Sequence, residues 1–333
     1  MLRILAYAHP DCGGLDGHAY KRQFARRSEA LRKVLTALCA WVLLAALAPE
    51  PLCAAVIVSS KLSSESAMIG QMIRLLLNAN HIATVDRTTL GATPVVRKAL
   101  LAGEIDIYIE YTGNAGFFFN VPADPAWKDW QRGYALGARL DYNANRIVWL
   151  TPARASNSWA LAVREDVAAA QQLHTMSDFA RWVAAGGKVM LACSAEFANA
   201  GTLRSLEHTY GFKLSSDQLI VLAGGETSAT IAAAAARTNG VNTAMVYGTD
   251  GGIVAANLRI MQDDRHDQPI YAPVPTIRES VLRAQPEIAR LLKPLMASLD
   301  GATLQRLNAR VQVDGESAES VAADYLKSQG LVK

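Results

Sequence analysis

The chain predicts an α/β protein of two lobes, each a mixed sheet flanked by helices, with a ligand cleft between them. Its 333 residues suffice for two domain-sized cores. A hydrophobic content of 51% and a charged content of 19% suit ordinary globular packing. From residue 56 onward, short apolar β-branched runs alternate with segments of helical periodicity, the pattern of sheets with parallel members.

The first 55 residues stand apart. Lys21, Arg22, Arg26, Arg27, Arg32 and Lys33 precede the apolar run VLTALCAWVLLAALAPEPLCAA. That run is short for a membrane span and is followed closely by Pro49 and Pro51. A basic stretch, an apolar core and small residues around Cys53-Ala54-Ala55 describe a secretory signal cut after Ala54 or Ala55. An uncleaved anchor is the alternative. Seven of the 33 Lys/Arg and four of the 30 Asp/Glu lie in residues 1–54, leaving 26 of each beyond them. The basicity of the whole chain therefore belongs to the leader and gives no reason to expect nucleic acid or anionic lipid as a partner. Cys193 is the one cysteine beyond the leader, so no internal disulfide is expected there.

In the remainder, AVIVSSK reads as a buried strand. A helix follows, capped by Ser63 or Ser64, with Met68, Ile69, Met72, Ile73, Leu76 and Leu77 at helical spacing. TVDRTTLG is a second strand. TPVVRKALLAGE is a helix with Pro94 in its first turn and Gly103 at its end. IDIYIEY is a third strand. A second unit repeats the alternation, with strands at SWALAVRED, KVMLACS, LIVLAG and TAMVYGTDG. Helices at MSDFARWVAAGG, AGTLRSLEHTYGF and ETSATIAAAAART lie between them. The extended segment DDRHDQPIYAPVPTIRES returns to the first unit, and three helices close the chain. This organisation places lobe 1 at 56–153 and 264–333 and lobe 2 at 154–263.

No G-x-S-x-G, H-E-x-x-H, C-x-x-C or Walker-type loop is present, and His81, His174, His208 and His266 lack metal-ligand spacing. Asp263, Asp264 and Asp267 read as a solvated acidic loop. The Gly-rich LAGGETSA before a helix reads as a plain loop, with anion binding as the weaker option. What stands out is aromatic residues where strands meet loops: Tyr111, Trp159, Tyr247 and Tyr271. In open α/β sheets ligands bind outside the carboxyl ends of strands.

SSKLSSESAMIGQMI, LGATPVVRKALLAGEIDIYIEYTG, SNSWALAVRED, LEHTYGF, VYGTDGGI and QDDRHDQPIYAPVPTIRE, in this order, resemble the periplasmic substrate-binding proteins of osmoprotectant ABC importers, the OpuAC-like family. The similarity runs from about Val56 to the C-terminus. It implies a type II periplasmic binding protein fold, no catalysis, no cofactor, a monomer, and delivery of a quaternary amine such as glycine betaine, choline or carnitine to an inner-membrane permease. It also implies an aromatic cage at Tyr111, Trp159, Tyr247 and Tyr271, with Trp159 where many members have Tyr. Tyr111 is then expected to be exposed on the cleft wall, with Phe117–Phe119 packed behind it. The resemblance assigns Lys61, Asn114 and Thr249 to the ligand set as well. Many members carry an arginine in the loop that here reads EFANAGTLRS. Ala200 stands at that position, and Arg204 is the substitute to consider. The cation half of the site is thus better supported than the carboxylate half. The alternatives are a receptor for another small solute such as an amino acid, or an enzyme on a similar two-lobed fold.

Overall fold

A computed structural model describes residues 54–199, 201–222 and 227–333. Residues 1–53, which hold the expected leader up to Cys53, together with Ala200 and residues 223–226, therefore lie outside the described residues. Residues 54–333 form one compact unit built on two five-stranded sheets.

The first sheet contains β1 (Val56–Lys61), β2 (Thr84–Gly91), β3 (Ile107–Tyr111) and β4 (Ile147–Trp149). The second contains β5 (Trp159–Arg164), β6 (Leu191–Ser194), β7 (Leu219–Leu222), β8 (Thr243–Tyr247) and β9 (Leu258–Ile260). The last strand, β10 (Pro273–Arg278), returns to the first sheet, giving the orders β2-β1-β3-β10-β4 and β7-β6-β8-β5-β9. In each sheet three parallel strands are joined by one antiparallel strand: β10 beside β3, and β5 beside β8. The chain thus crosses between sheets twice, at 150–158 and at 261–272. Both crossings lead to the sheet end where β3 and β8 terminate, the end at which an α/β sheet offers its loops to a ligand.

The periodic helices form where the apolar spacing puts them. Ser64–Ala79 buries Met68, Ile69, Met72, Ile73, Leu76 and Leu77 against the first sheet and the C-terminal helices. Truncating a side chain so enclosed typically costs about 2–5 kcal/mol. Ser63 holds the N-cap position but makes no capping bond through its side chain. The other face of the first sheet carries a cluster around Tyr108, Trp127 and Trp149. Two more clusters cover the faces of the second sheet, with Phe179 and Phe197 in one and Ile231 and Val246 in the other. Cys193 is buried in β6, and burial pushes its thiol up to about 11.

One helix is not announced by apolar periodicity. Trp130–Asn145 buries only Gly133, Gly137 and Asp141. It is anchored by polarity instead: Arg97 makes two bonds of 2.7 and 2.6 Å to Asp141, which also accepts from the Trp149 indole at 2.9 Å. The acidic loop differs from its reading too. Asp267 is buried and accepts from Ser205, Thr209 and Gln268, with Lys128 at 3.5 Å. Asp263 accepts from the Tyr210 hydroxyl and from two backbone N–H groups. These carboxylates tie the second crossing to the helix Thr202–Tyr210, and only Asp264 of the three is exposed.

The two halves touch where the turn after β8 meets the helix Gly301–Gln312. Gln305 donates to the Gly248 carbonyl at 2.9 Å, Asn308 to the Thr249 carbonyl at 2.7 Å, and the Gly251 N–H to Gln312 at 2.9 Å. Gly251 makes this approach possible: a Cβ there would lie 2.1 Å from the Ala309 nitrogen.

Candidate functional site

The aromatic residues at the strand ends are positioned by backbone pairing. Trp159 opens β5 directly opposite Tyr247, the last residue of β8. Facing residues on an antiparallel pair share a sheet face, so the rings stack, with centroids 6.2 Å apart and planes 26° from parallel. Phe197 supports Trp159 edge-on at 5.9 Å. Asp250 accepts from the Tyr247 N–H at 2.8 Å and sets the turn that follows.

On the first sheet, Tyr111 ends β3 opposite Pro273 of β10. Thr112 locks the two chains together by donating to the Ile270 carbonyl at 2.7 Å and accepting from the Ala272 N–H at 3.0 Å. Tyr271 is thereby laid over Gly113, where a Cβ would come within 2.8 Å of the ring. The crossing 150–158 is bonded to the same segment, through Tyr271 N–H to Ser156 at 3.1 Å and Asn157 N–H to the Tyr271 carbonyl at 3.0 Å. Burial, and then the neighbouring Tyr247, hold the Tyr271 phenol above its ordinary range. The structure therefore brings Tyr111, Trp159, Tyr247 and Tyr271 to one junction between the sheets.

Tyr111 departs from expectation in being only 6% exposed. Its hydroxyl donates to Glu65 at 2.8 Å. Burial, and then the charge of Glu65, hold the phenol well above the usual tyrosine range. Nor do the phenylalanines form one wall behind it. Phe117 is 63% exposed, Phe118 lies under the Arg97 guanidinium at 4.8 Å, and Phe119 packs on the first sheet's outer cluster.

Lys61 and Asn114 come to the junction but are engaged within the protein. The Lys61 ammonium pairs with the fully buried Glu110 and lies 4.9 Å from the Tyr111 ring centroid. Glu110 also accepts from Tyr108 at 2.5 Å, from the Tyr111 N–H at 2.7 Å and from the Asn114 amide at 2.7 Å. Thr249 is buried in the turn after Tyr247 and bonds Glu65 through its side chain. Arg204 is exposed and donates to the Asn199 carbonyl at 3.1 Å.

Sequence reasoning missed Glu65, Asn157 and Asn308. Glu65 lies in the first turn of Ser64–Ala79, where a helix favours an anion. Asn308 is the buried polar member of a face otherwise made by Leu304 and Leu307, which was the available signal. Its amide donates to Glu65 at 2.7 Å, and that of Asn157 at 3.4 Å. Burial raises the Glu65 carboxyl above 4.5 and Asp250 adds to this, against the bonds from Thr249, Asn308 and Tyr111. Among the described residues, three buried polar atoms have no partner: Asn157 Oδ1, Asn308 Oδ1 and Trp159 Nε1.

A cavity of about 240 Å³ borders Trp159 and Gly248, while one of about 590 Å³ lies outside the junction around Phe117 and Lys98. The larger is mostly apolar and shares only Asn114 with the candidate residues.

Residues 54–328 match the family described as the substrate binding domain of ABC-type glycine betaine transport systems. The glycine betaine-binding protein YehZ of Escherichia coli is 50% identical over 277 residues, 83% of this chain and 91% of that protein. A glycine-betaine-binding protein of Pseudomonas aeruginosa is 31% identical over 252 residues, 74% and 78% of the two chains. The structure of apo YehZ superposes with a TM-score of 0.80 over 84% of this chain and all of that one. A glycine betaine/carnitine/choline ABC transporter structure, 24% identical, shares the fold at a TM-score of 0.73, covering 83% of this chain and 99% of that one.

Proposed function

Because the chain belongs to the family of substrate-binding domains of ABC-type glycine betaine transport systems, we propose that it captures a small quaternary or methylated amine at the Trp159–Tyr247 junction and delivers it to a membrane permease. It is a solute receptor of an ABC uptake system, not an enzyme.

The chemistry follows from the ligand's head group. A quaternary ammonium has no N–H to donate, so directed hydrogen bonds give it no address. Its charge is spread over methyl groups, and these are attracted to the negative faces of aromatic rings by about 0.5–2 kcal/mol per ring, more as water is excluded. Trp is the strongest such ring, so Trp159 suits the cage chemistry. The observation that supports the reading is the Trp159–Tyr247 stack at the end of β8, with Tyr271 near enough to Tyr247 to feel its charge and Tyr111 at the end of β3. Tyr111 contributes from a buried position, with its hydroxyl tethered and its ring beside the Lys61 ammonium.

We assign residues 56–153 and 264–333 to one lobe and 154–263 to the other, because the two crossings fall at those boundaries. Among the described residues no helix is long and apolar enough to cross a membrane. The protein is placed in the periplasm as a monomer, its leader removed after Ala54 or Ala55. Mass spectrometry of periplasmic protein finding Met1 retained would contradict that placement. Thermal-shift screening against glycine betaine, choline, carnitine and common amino acids tests the function. Stabilisation by the quaternary amines supports it, and stabilisation by amino acids alone refutes it.

A further inference from the structure

We infer that Glu65 is a ligand-selecting residue: its buried carboxylate makes the junction favour a cation that carries no carboxylate, with choline the simplest probe, over a zwitterion such as glycine betaine. This rests on the quaternary-amine reading above and specifies the charge of the ligand.

The charges at the junction decide it. Lys61, the cation expected to meet a ligand carboxylate, is neutralised by Glu110. The Asn114 amide is spent on the same carboxylate, and Arg204 is exposed and bonded to Asn199. Glu65 is 3% exposed, and among the described residues no Lys, Arg or His pairs with it. Its partners are neutral donors: Tyr111 on β3, Asn157 on the first crossing, Thr249 after β8 and Asn308 on Gly301–Gln312. The charged groups near it are Asp250, which adds negative charge, and the Lys61–Glu110 pair on the Tyr111 side, which adds none. The unpartnered Oδ1 atoms of Asn157 and Asn308 add two acceptors but no donor. Buried carboxylates are normally paired, because an isolated charge out of water is costly. A ligand cation offsets that cost, whereas a ligand carboxylate adds to it. A phenol that donates to a carboxylate also gains electron density in its ring, so Glu65 strengthens Tyr111 as a cation-binding face.

Calorimetric titration of the purified protein and its Glu65→Gln variant with choline and with glycine betaine, between pH 5 and pH 8, tests this. Glu65→Gln is expected to bind choline at least about tenfold more weakly, since a charge pair lost at intermediate dielectric is worth that much or more, and to bind glycine betaine as well as or better than wild type. Wild-type affinity for choline is expected to fall as acid protonates Glu65, whose carboxyl titrates above its ordinary value, while the variant stays flat. The wild-type pH profile stands alone if the variant folds poorly. A wild type that binds choline with no pH dependence, or a variant that loses both ligands by the same factor, overturns the inference and leaves the proposed function intact. A wild type that binds no quaternary amine overturns both.

Discussion

A single methyl group at Gly251 is expected to hold the lobes apart. The turn carrying Gly251 packs on the backbone of Gly301–Gln312, and an added Cβ would lie 2.1 Å from Ala309 N, 2.4 Å from Asn308 C and 2.5 Å from Ala309 Cα. All three are backbone atoms, so no side-chain rotation relieves the clash. Local conformation raises no objection to alanine, since Gly251 has φ −66° and ψ −30°. The strain falls on the contact between lobes. Separating them weakens the bonds of Gln305 to Gly248, Asn308 to Thr249 and Gly251 to Gln312. Overpacking costs about 1–3 kcal/mol and a lost hydrogen bond about 0.5–1.5 kcal/mol, so with one of the three bonds broken outright ~2–4 kcal/mol against the touching lobes is expected. If ligand is held only between touching lobes, Gly251→Ala lowers affinity by roughly 30- to 1,000-fold. Calorimetry with choline measures it, and small-angle scattering should show the ligand-saturated variant larger than wild type. An affinity within threefold of wild type would refute the reasoning, because it would mean that this contact is not part of the bound state.

Trp159→Ala and Tyr247→Ala should each weaken choline binding by roughly 2- to 30-fold, the value of one ring, in calorimetry; unchanged affinity in both contradicts the cage. Lys61→Ala should act mainly on stability. It leaves Glu110 buried without its cation, which costs about 3–5 kcal/mol in urea unfolding, while choline affinity of the folded protein moves less than in Trp159→Ala. Asp267→Asn should lower the melting temperature at neutral pH. Burial works to raise the Asp267 carboxyl, but bonds from Thr209, Ser205 and Gln268 and the Lys128 charge outweigh it and hold it below 3.8. A depressed carboxyl contributes stability that is present above its unfolded value and lost as pH falls through its folded value. The gap between wild type and variant should therefore close on acidification below about 3.8, and a gap independent of pH would contradict it.

The alternation of strands and helices was legible because each strong signal is local. Ile107 and Ile109 of β3, or Met68, Met72 and Leu76 of the first described helix, declare their period within a few residues. Strands of three residues such as Ile147–Trp149 and Leu258–Ile260 are too short to show a period. Trp130–Asn145 buries glycines and an aspartate, so its packing leaves no apolar stripe to read. The junction was legible where strand ends carry aromatics and where family resemblance orders them. Its polar wiring was not. Lys61 and Glu110 are 49 residues apart, Tyr111 and Glu65 are 46 apart, and Glu65 and Asn308 are 243 apart. Each looks like a free functional group until the fold supplies its partner. The sequence alone therefore exposes Tyr111 on the cleft wall and puts Asp267 in a solvated loop, although Glu65 tethers the first and Ser205, Thr209 and Lys128 enclose the second.

In the proposed function, charge read by aromatic faces selects the ligand. Calorimetric titration with choline and with 3,3-dimethylbutan-1-ol, which replaces the quaternary nitrogen by carbon at nearly constant shape, isolates that charge. Choline is expected to bind, with the uncharged alcohol weaker by about tenfold or more, since two or more rings lose their cation–π attraction while the apolar contact area is kept. Equal affinity for the two would show that the pocket reads shape and apolar surface alone, and would contradict the account.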